Sequence, residues 1–212
     1  MAPDKPRKKP LQARSNQTVE AIFDAAIQVL LDGGLGSLTT TRVAERAGVS
    51  VGSLYQYFPN KQSLMAAVLE RHLVHVVEAV EAACVRSKGR KIEDMAAAVV
   101  DGFITAKLEM PATSKALYAV AAELGGEAVV NRMAMRSQLA LCDMLATAAD
   151  CRFQNPAVIA FMISTAAVGP VQALLASNAP ADLTAIVRTH LTAMMMSYLK
   201  ASALPVRNGR DR

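Results

Sequence analysis

Apolar residues recur at intervals of three and four along most of the chain, which places them on one face of an α-helix. Strict alternation of apolar and polar residues, the mark of β-strands, and Asn-Gly hairpin turns are scarce. A first helix is predicted from Ser15 or Asn16, either a good N-cap, to the pair Gly33-Gly34. Its inner face is a stripe of Val19, Ile22, Phe23, Ala26, Ile27 and Leu30. The pattern predicts an all-α fold.

Two short helices joined by a tight turn follow the first helix. One of the threonines at 39–41 is expected to cap a helix that reaches about Ala47, and Gly48 supplies the turn. Ser50 is expected to cap a second helix, which Pro59 ends. This arrangement is the helix-turn-helix pattern.

The next predicted helix is long, from Asn60 to about Cys84, and would span roughly 36 Å. No flexible linker interrupts it, so we expect one helix to be shared by an N-terminal unit and the rest of the chain. Further helices are predicted at about 92–109, 114–124, 127–149, 156–177 and 182–200, with Asp182 as the last N-cap. The predicted divisions are a disordered arm over 1–14, a helix-turn-helix domain over 15–60, a larger helical bundle over 61–203 and a frayed tail over 204–212.

The charge is concentrated at the N-terminus. The whole chain carries a net charge of +5. Residues 1–14 hold Lys5, Arg7, Lys8, Lys9 and Arg14 against Asp4 alone. A basic arm of this kind often follows a polyanion, although a solubilising terminus has the same composition. Three prolines, the last of them Pro10, are expected to keep the arm from being helical.

A stretch without charged residues, from Phe153 to Ala181, is long enough to span a bilayer by length alone. Polar residues and the pair Gly169-Pro170 interrupt it, and it lacks basic or aromatic anchors at both ends. A helix that is apolar on all sides is more often buried in a core or an interface, so no membrane span is predicted. Cys84, Cys142 and Cys151 lack CxxC spacing, and no secretory signal precedes them. These features predict reduced thiols in the cytoplasm, either buried or redox-sensing.

The helix from Ser50 to Phe58 separates into two faces at 100° per residue. The inward face is apolar and consists of Val51, Leu54 and Phe58. The outward face is small or polar and consists of Gly52, Ser53 and Gln56, with Tyr55 and Tyr57 at its edges. An amide can hydrogen-bond a base edge in the major groove, hydroxyl groups can donate to phosphates, and a glycine lets the backbone approach closely. Lys61 adds a cation suited to a phosphate. The alternative is a helical hairpin that binds no nucleic acid.

The stretch LTTTRVAERAGVSVGSLYQYFPNKQSLMAAVLERH resembles the DNA-binding domain of TetR/AcrR-family transcriptional regulators over about residues 15–72. The motif AGVSxGSLYxYFxNK is far more specific than a generic helix-turn-helix. The resemblance implies an all-helical homodimer whose three-helix N-terminal domain binds operator DNA. It also implies a larger, variable C-terminal domain that binds a small molecule and dimerises.

The resemblance assigns DNA contacts to Thr39, Thr40, Thr41, Arg42, Val51, Gly52, Ser53, Tyr55, Gln56, Tyr57 and Lys61. Two positions depart from the family pattern. Tyr57 stands where many members have His, which changes the atom that reaches the phosphate. Val51 stands where relatives often have Lys, Arg or Pro, which weakens one possible contact.

The C-terminal region offers a dimer surface and apolar residues for an effector site. The helix at 156–177 and the helix carrying Met194, Met195 and Met196 are predicted to pack across a two-fold axis that matches a palindromic operator. The alternative is that both helices are monomer core. The predicted effector site consists of Phe103, Lys107, Met110, Tyr118, Met144, Phe161 and Met162, with Lys107 as the polar anchor. The alternative is that these residues are plain core.

No catalytic constellation is present in the sequence, and no cofactor is predicted. His72 and His75 lie one helical turn apart but have no clear third ligand, so no metal site is predicted. The resulting hypothesis is a cytoplasmic, dimeric transcriptional regulator, in the first place a repressor released from a palindromic operator by a small molecule. The alternatives are an activator, a DNA-binding regulator controlled by a partner protein, and an enzyme or lipid carrier that retains a helical hairpin.

Overall fold

The computed structural model describes residues 8–177 and 179–205, with side chains described from Ser15 onward. Nine helices account for nearly all of these residues. The helices are α1 (Lys8–Ser37), α2 (Thr40–Arg46), α3 (Val51–Tyr57), α4 (Lys61–Ser87), α5 (Ile92–Glu109), α6 (Pro111–Glu123), α7 (Glu127–Leu145), α8 (Pro156–Ser177) and α9 (Ala181–Ser202). Two short strands, β1 (Cys151–Arg152) and β2 (Leu204–Pro205), pair antiparallel. The all-α prediction is confirmed.

The main differences from the predicted elements lie at the helix ends. Helix α1 begins at Lys8, so the expectation that residues 8–14 are disordered is wrong. Pro10 fits there because the first helical turn needs no N–H donor. Residues 1–7 and 206–212 lie outside the described residues, and Leu204–Pro205 is a strand rather than a frayed tail. Asp182 is not the N-cap of α9, because Pro180 takes that position and Asp182 lies in the first turn.

The chain forms two compact units. Unit 1 comprises the described residues up to Leu69 together with Ala116–Glu127, and unit 2 comprises Glu70–Lys115 and the described residues from Ala128 onward. The predicted division at residue 60 differs, because unit 1 also includes the first part of α4 and most of α6. Helix α4 contributes to both units, as expected from its length.

Unit 1 is built around buried side chains from its first three helices. Ile22 from α1, Val43 from α2 and Leu54 from α3 are fully buried. The rings of Phe23 and Phe58 lie 5.6 Å apart and hold the end of α3 against α1. Full burial of a side chain such as Leu54 contributes on the order of 2 kcal/mol, enough to fix one face of a seven-residue helix inward.

Unit 2 packs α5, α8 and α9 against one another. Gly102 on α5 permits a close approach to α4, since a Cβ there would lie 3.2 Å from the Ala79 carbonyl oxygen. Arg136 on α7 donates two hydrogen bonds of 2.6 Å each to the Glu81 carboxylate on α4. These contacts connect α4, α5 and α7 within the unit.

Helix α8 is, among the described residues, the one helix long and apolar enough by length and composition to cross a membrane. One side of this helix is buried in unit 2 and consists of Ile159, Ala160, Ile163, Ala167, Val171, Leu174 and Leu175. The core helix of a globular protein passes the same test of length and composition. The opposite side of α8 is exposed and apolar, with Val158, Phe161, Met162 and Val168.

Candidate nucleic-acid interface

The start of α2 is fixed by a threonine cap. Thr39 has an extended backbone, and its Oγ1 accepts a hydrogen bond of 3.2 Å from the Arg42 amide. The cap satisfies one of the amides that the first helical turn leaves without a backbone partner. Thr40, Thr41 and Arg42 follow within this turn, where the backbone amides point toward the N-terminal end of the helix. Such a helix end favours an anionic group.

The turn between α2 and α3 depends on Gly48. Its φ of +67° lies in the left-handed region, where a side chain is strained. The Gly48 amide donates to the Glu45 carbonyl and the Val49 amide donates to the Ala44 carbonyl, which is the Schellman end of a helix. This turn fixes the direction in which α3 leaves α2.

The sequence pattern of α3 is reproduced in its burial. Leu54 and Phe58 are buried and Val51 is half-buried, whereas Gly52 and Gln56 are exposed. Leu54 and Phe58 therefore face inward as predicted.

Ser50 caps α3 by accepting a hydrogen bond of 3.0 Å from the Ser53 amide. The Ser50 and Ser53 hydroxyl oxygens lie 2.8 Å apart. Ser53 is half-buried, so its hydroxyl is already engaged at the start of the helix. Ser50 is the cap that the sequence predicts, whereas its contact with the Ser53 hydroxyl does not follow from the sequence pattern.

Both tyrosines of α3 are exposed but positioned by neighbours. The Tyr55 hydroxyl lies 3.1 Å from Thr40 Oγ1, which joins the outer edges of α2 and α3. The Tyr57 ring lies 6.4 Å from the ring of Phe58. Tyr55 and Tyr57 expose 47% and 37% of their surface, so both side chains are accessible from solvent.

Lys61 opens α4 next to the end of α3. Asn60 caps this helix, since its Oδ1 accepts from the Ser63 amide at 2.8 Å while Ser63 Oγ accepts from the Asn60 amide at 3.2 Å.

Between Thr39 and Lys61 the only acidic residue is Glu45, against three basic residues. The surface formed by the start of α2, the exposed side of α3 and Lys61 is called the α2–α3 surface below. It combines hydroxyls, an amide and net positive charge.

A surface groove of about 680 Å³ lies on unit 1, on the side of α1 and α2. It is lined by Val29, Asp32, Gly33, Ser37, Arg42, Glu45 and Arg46. Arg46 pairs with Asp32 at 2.7 Å inside it, so both charges are engaged. None of the predicted effector residues lines this groove.

The predicted effector residues differ in their burial and in the unit to which they belong. Lys107 and Met144 are buried in unit 2, Phe103 is half-buried there, and Tyr118 belongs to unit 1. Met110, Phe161 and Met162 are exposed. Phe161 and Met162 lie on the outward side of α8 because the opposite side of that helix supplies its core stripe.

A buried polar cluster in unit 2 includes His72 and Ser114, which the sequence does not predict as part of a binding site. His72 Nε2 lies 3.0 Å from Ser114 Oγ, which donates a hydrogen bond of 2.8 Å to the Lys107 carbonyl oxygen. His72 Nδ1 is buried without a hydrogen-bond partner. The neighbouring His75 instead makes an exposed pair with Glu109 at 2.8 Å. The two histidines therefore have different surroundings and do not converge on one ion.

Burial perturbs the ionisable groups of this cluster. It is the main cause that lowers the pKa of His72 to about 4, with a smaller contribution from the positive charge of Lys107. Burial also lowers the pKa of Lys107 to about 8. At neutral pH His72 is therefore neutral, while Lys107 carries its charge most of the time. Among the described residues, no three His, Cys, Asp or Glu side chains gather as a metal site.

The cysteines are free thiols in unit 2. Burial raises the pKa of Cys84 to about 12 and also raises that of Cys151, which disfavours the reactive thiolate. Cys142 is half-buried on α7. Cys84 and Cys151 therefore behave as small apolar core residues.

Comparison with known proteins bears on both units. Residues 22–68 match the family described as bacterial regulatory proteins, tetR family. Residues 92–199, half of the chain, match the tetracyclin repressor-like C-terminal domain. The chain belongs to the TetR family. Members of this family are DNA-binding transcriptional regulators, and dimerisation and ligand binding are typical of them.

Curated TetR-family relatives match over the DNA-binding region. The tetracycline repressor protein class C of Escherichia coli is 44% identical over 54 residues, 26% of this chain and 25% of its own length. The fatty acid metabolism regulator protein of Bacillus subtilis is 30% identical over 60 residues, 28% of this chain and 31% of its own length. The chain thus spans only about a quarter to a third of the curated relatives it matches.

Solved structures match over almost the whole chain. A TetR-family transcriptional regulator from Mesorhizobium loti superposes with a TM-score of 0.74 at 16% identity, covering 90% of this chain and 99% of its own. The fatty acid degradation regulator FadR from Bacillus halodurans superposes with a TM-score of 0.62 at 17% identity, covering 84% and 97%. At these identities the likeness concerns the fold, which is shared across both units.

Proposed function

We propose that this TetR-family protein is a repressor that binds a palindromic operator through the α2–α3 surface and leaves it when a small molecule binds unit 2. The observation that carries the proposal is the exposed side of α3, where Gln56 lies between two exposed tyrosines while Leu54 and Phe58 hold the helix from behind. A short helix presented in this way suits the major groove.

Each side chain of this surface has a proposed role that follows from its chemistry. Gln56 reads a base edge, because its amide offers a donor and an acceptor. Tyr55, with Thr40, and Tyr57 donate hydrogen bonds to phosphates. Lys61 neutralises a phosphate at the start of α4. The remaining proposed contacts are Thr39, Thr41, Arg42, Val51, Gly52 and Ser53.

Dimerisation is proposed to use the exposed apolar surface of α8 and α9. Phe161 and Ile186 expose 51% and 52% of their surface, and Val158, Met162 and Met194 are also exposed. Contiguous apolar surface of this kind marks an interaction site. A two-fold dimer presents two copies of α3 to a palindromic operator. This role accounts for the apolar residues on both sides of α8, and it supports a regulator in the cytoplasm rather than a membrane protein or an enzyme.

The proposal is tested by selecting duplexes from a random library with the purified protein and then measuring affinity by fluorescence anisotropy. The triple variant Tyr55→Phe, Tyr57→Phe, Lys61→Met removes two hydroxyls and one charge but keeps the packing. It is expected to lose at least about 100-fold in affinity for the selected duplex, on the scale of three phosphate contacts. The matched control is Tyr198→Phe, Lys88→Met, Lys91→Met in unit 2. Equal affinities of the triple variant and the wild type would remove DNA binding from this surface.

A further inference from the structure

Helix α7 carries two strongly exposed apolar side chains in unit 2. Met135 and Leu139 expose 63% and 67% of their surface and lie one turn apart, about 40° from each other around the helix. The opposite side of α7 holds its buried residues, among them Met133, Leu141 and Met144. Because α7 already packs through that side, Met135 and Leu139 do not contribute to the core of unit 2.

A hydrogen bond between α7 and α8 shows which side of α7 faces that helix. Gln138 Nε2 donates to Ser164 Oγ at 3.3 Å, and both residues are half-buried. At about 100° per residue, Met135 lies roughly 60° around α7 from Gln138, in the direction of Leu139 and of solvent. Phe161 lies roughly 60° around α8 from Ser164, again on the exposed side. The exposed apolar residues of the two helices therefore border each other along this hydrogen bond.

The surface formed by Met135, Leu139, Phe161 and Val168 is called the α7–α8 surface below. Its centre is uncharged because the neighbouring arginines of α7 turn toward α4. Arg132 pairs with Glu70 at 2.8 Å, and Arg136 pairs with Glu81 at 2.6 Å. Asp143 is exposed one turn beyond Leu139 and bounds the surface at that end. An uncharged apolar centre with a charged rim is the composition of a protein–protein interface.

We infer that the α7–α8 surface is part of the homodimer interface, so that a second copy of the chain covers α7 as well as α8 and α9. This inference rests on the proposed dimerisation through α8 and α9 and extends it to a third helix. Phe161 connects the two parts, since it belongs to the exposed apolar side of α8 and borders Met135 on α7. A partner that covers the Phe161 ring and excludes water from it also covers the neighbouring side chains of α7.

A second copy of the chain is the partner that fits this surface. In a two-fold dimer the same patch occurs on both subunits and has to be complementary to itself. An uncharged apolar surface meets this condition, whereas a surface with charge of one sign would repel its copy. Dimerisation is typical of the TetR family, so a second copy is available to cover α7.

Sedimentation velocity of the full-length protein over a dilution series measures the dissociation constant of the dimer. Leu139→Glu places a charge on the α7–α8 surface of each subunit. It is expected to raise the dissociation constant at least about 100-fold, since the dimer then buries two charges that each weaken it about tenfold or more. The matched control is Val85→Glu, because Val85 is 66% exposed but lies on α4, and this variant should dimerise as the wild type does. Circular dichroism checks that each variant is folded.

Methionine oxidation followed by mass spectrometry tests the same contact without any substitution. Met135 should be oxidised slowly at concentrations where the dimer forms, and faster after dilution below the dissociation constant. Met110 is exposed in unit 2 outside the α7–α8 surface, so its oxidation rate should not depend on protein concentration. This measurement does not depend on the folding of a variant.

The variant Phe161→Glu separates this inference from the dimerisation on which it rests. The expected result is that Leu139→Glu and Phe161→Glu both dissociate the dimer, while Val85→Glu does not. Dissociation by Phe161→Glu alone, or equal oxidation of Met135 in dimer and monomer, would overturn the contact of α7 and leave the α8–α9 dimer standing. Dissociation by Leu139→Glu alone, or an equal effect of Val85→Glu, would overturn the continuous surface. A wild-type chain that sediments as a monomer at every concentration would contradict both the inference and the proposed dimerisation.

Discussion

The hydroxyl of Tyr55 lies 3.1 Å from Oγ1 of Thr40, so α3 and α2 meet through two hydroxyls at their exposed edges. Neither residue is buried, and the hydrogen bond therefore contributes little to folding. Its position instead brings two hydroxyls to one point on the α2–α3 surface, where the one that accepts keeps its own proton to donate. Two hydroxyls at this separation suit the oxygens of one phosphate.

Tyr55→Phe removes one of these hydroxyls and keeps the ring. We expect the dissociation constant to rise about tenfold on every duplex, because a hydrogen bond to a charged phosphate is worth about 1.5 kcal/mol and carries no base preference. The melting temperature should stay close to that of the wild type. Anisotropy on the selected duplex and on a shuffled duplex measures both affinities, with Tyr198→Phe as the control. A loss confined to the selected duplex would make Tyr55 a base-reading residue instead.

Gly52→Ala separates folding from DNA binding. A Cβ at this position would meet nothing closer than Ser50 Oγ at 3.8 Å, so the protein has room for it. The helix should gain up to about 1 kcal/mol in stability, because alanine loses less backbone freedom on folding. Affinity for the selected duplex should nevertheless fall on the order of tenfold, since the methyl group keeps the backbone from the groove.

Urea unfolding measures the gain in stability, and anisotropy on the same preparations measures the loss of DNA affinity. Gly36→Ala is the control, because Gly36 is another exposed glycine with open space around it. A more stable Gly52→Ala protein that binds DNA as tightly as the wild type would show that α3 does not approach DNA at this point.

The buried His72 predicts how stability depends on pH. The unfolded histidine takes up a proton near its ordinary pKa of 6.5, whereas the folded one does so only near 4. Between these values the unfolded state binds more protons, so stability is fully present above about 6.5 and is lost as the pH falls toward 4. From pH 7 to pH 5 this loss is about 2 kcal/mol.

Urea unfolding at pH 7 and at pH 5 measures this loss of stability. In His72→Gln the free energy of unfolding should fall about 2 kcal/mol less between pH 7 and pH 5. His190 is exposed on α9, so His190→Gln should behave as the wild type does. Equal falls in the wild type and His72→Gln would mean that His72 does not change its protonation on folding. The lowered pKa of Lys107 acts only above about pH 8 and does not enter this range.

Local patterns in the sequence predicted the helices and the faces of α3 well. The helical spacing predicts the observed bounds of α5 and α8. Thr39 and Ser50 cap α2 and α3, as the sequence pattern predicts. Burial of Leu54 and Phe58 follows from periodicity because both lie on one side of a short helix. The predicted start of α1 is too late because Pro10 suggests a helix breaker, although proline is tolerated in a first turn.

Contacts between residues that are distant along the chain could not be predicted from the sequence. Thr40 and Tyr55 are 15 residues apart, and His72 and Ser114 are 42 apart, so only the packed helices bring them together. The predicted effector residues follow from residue type, and residue type cannot distinguish the two sides of a helix that is apolar all round. Phe161 and Met162 accordingly lie on the exposed side of α8 rather than in its core.

The most direct test of the central claim is the base preference of Gln56→Ala. Selection from a random library, followed by sequencing, gives the preferred base at every operator position for the wild type and the variant. If α3 reads DNA through Gln56, the variant should lose its preference at one position in each half-site, worth about 1–3 kcal/mol, and keep the others. An unchanged preference at every position would contradict base reading by this surface of α3.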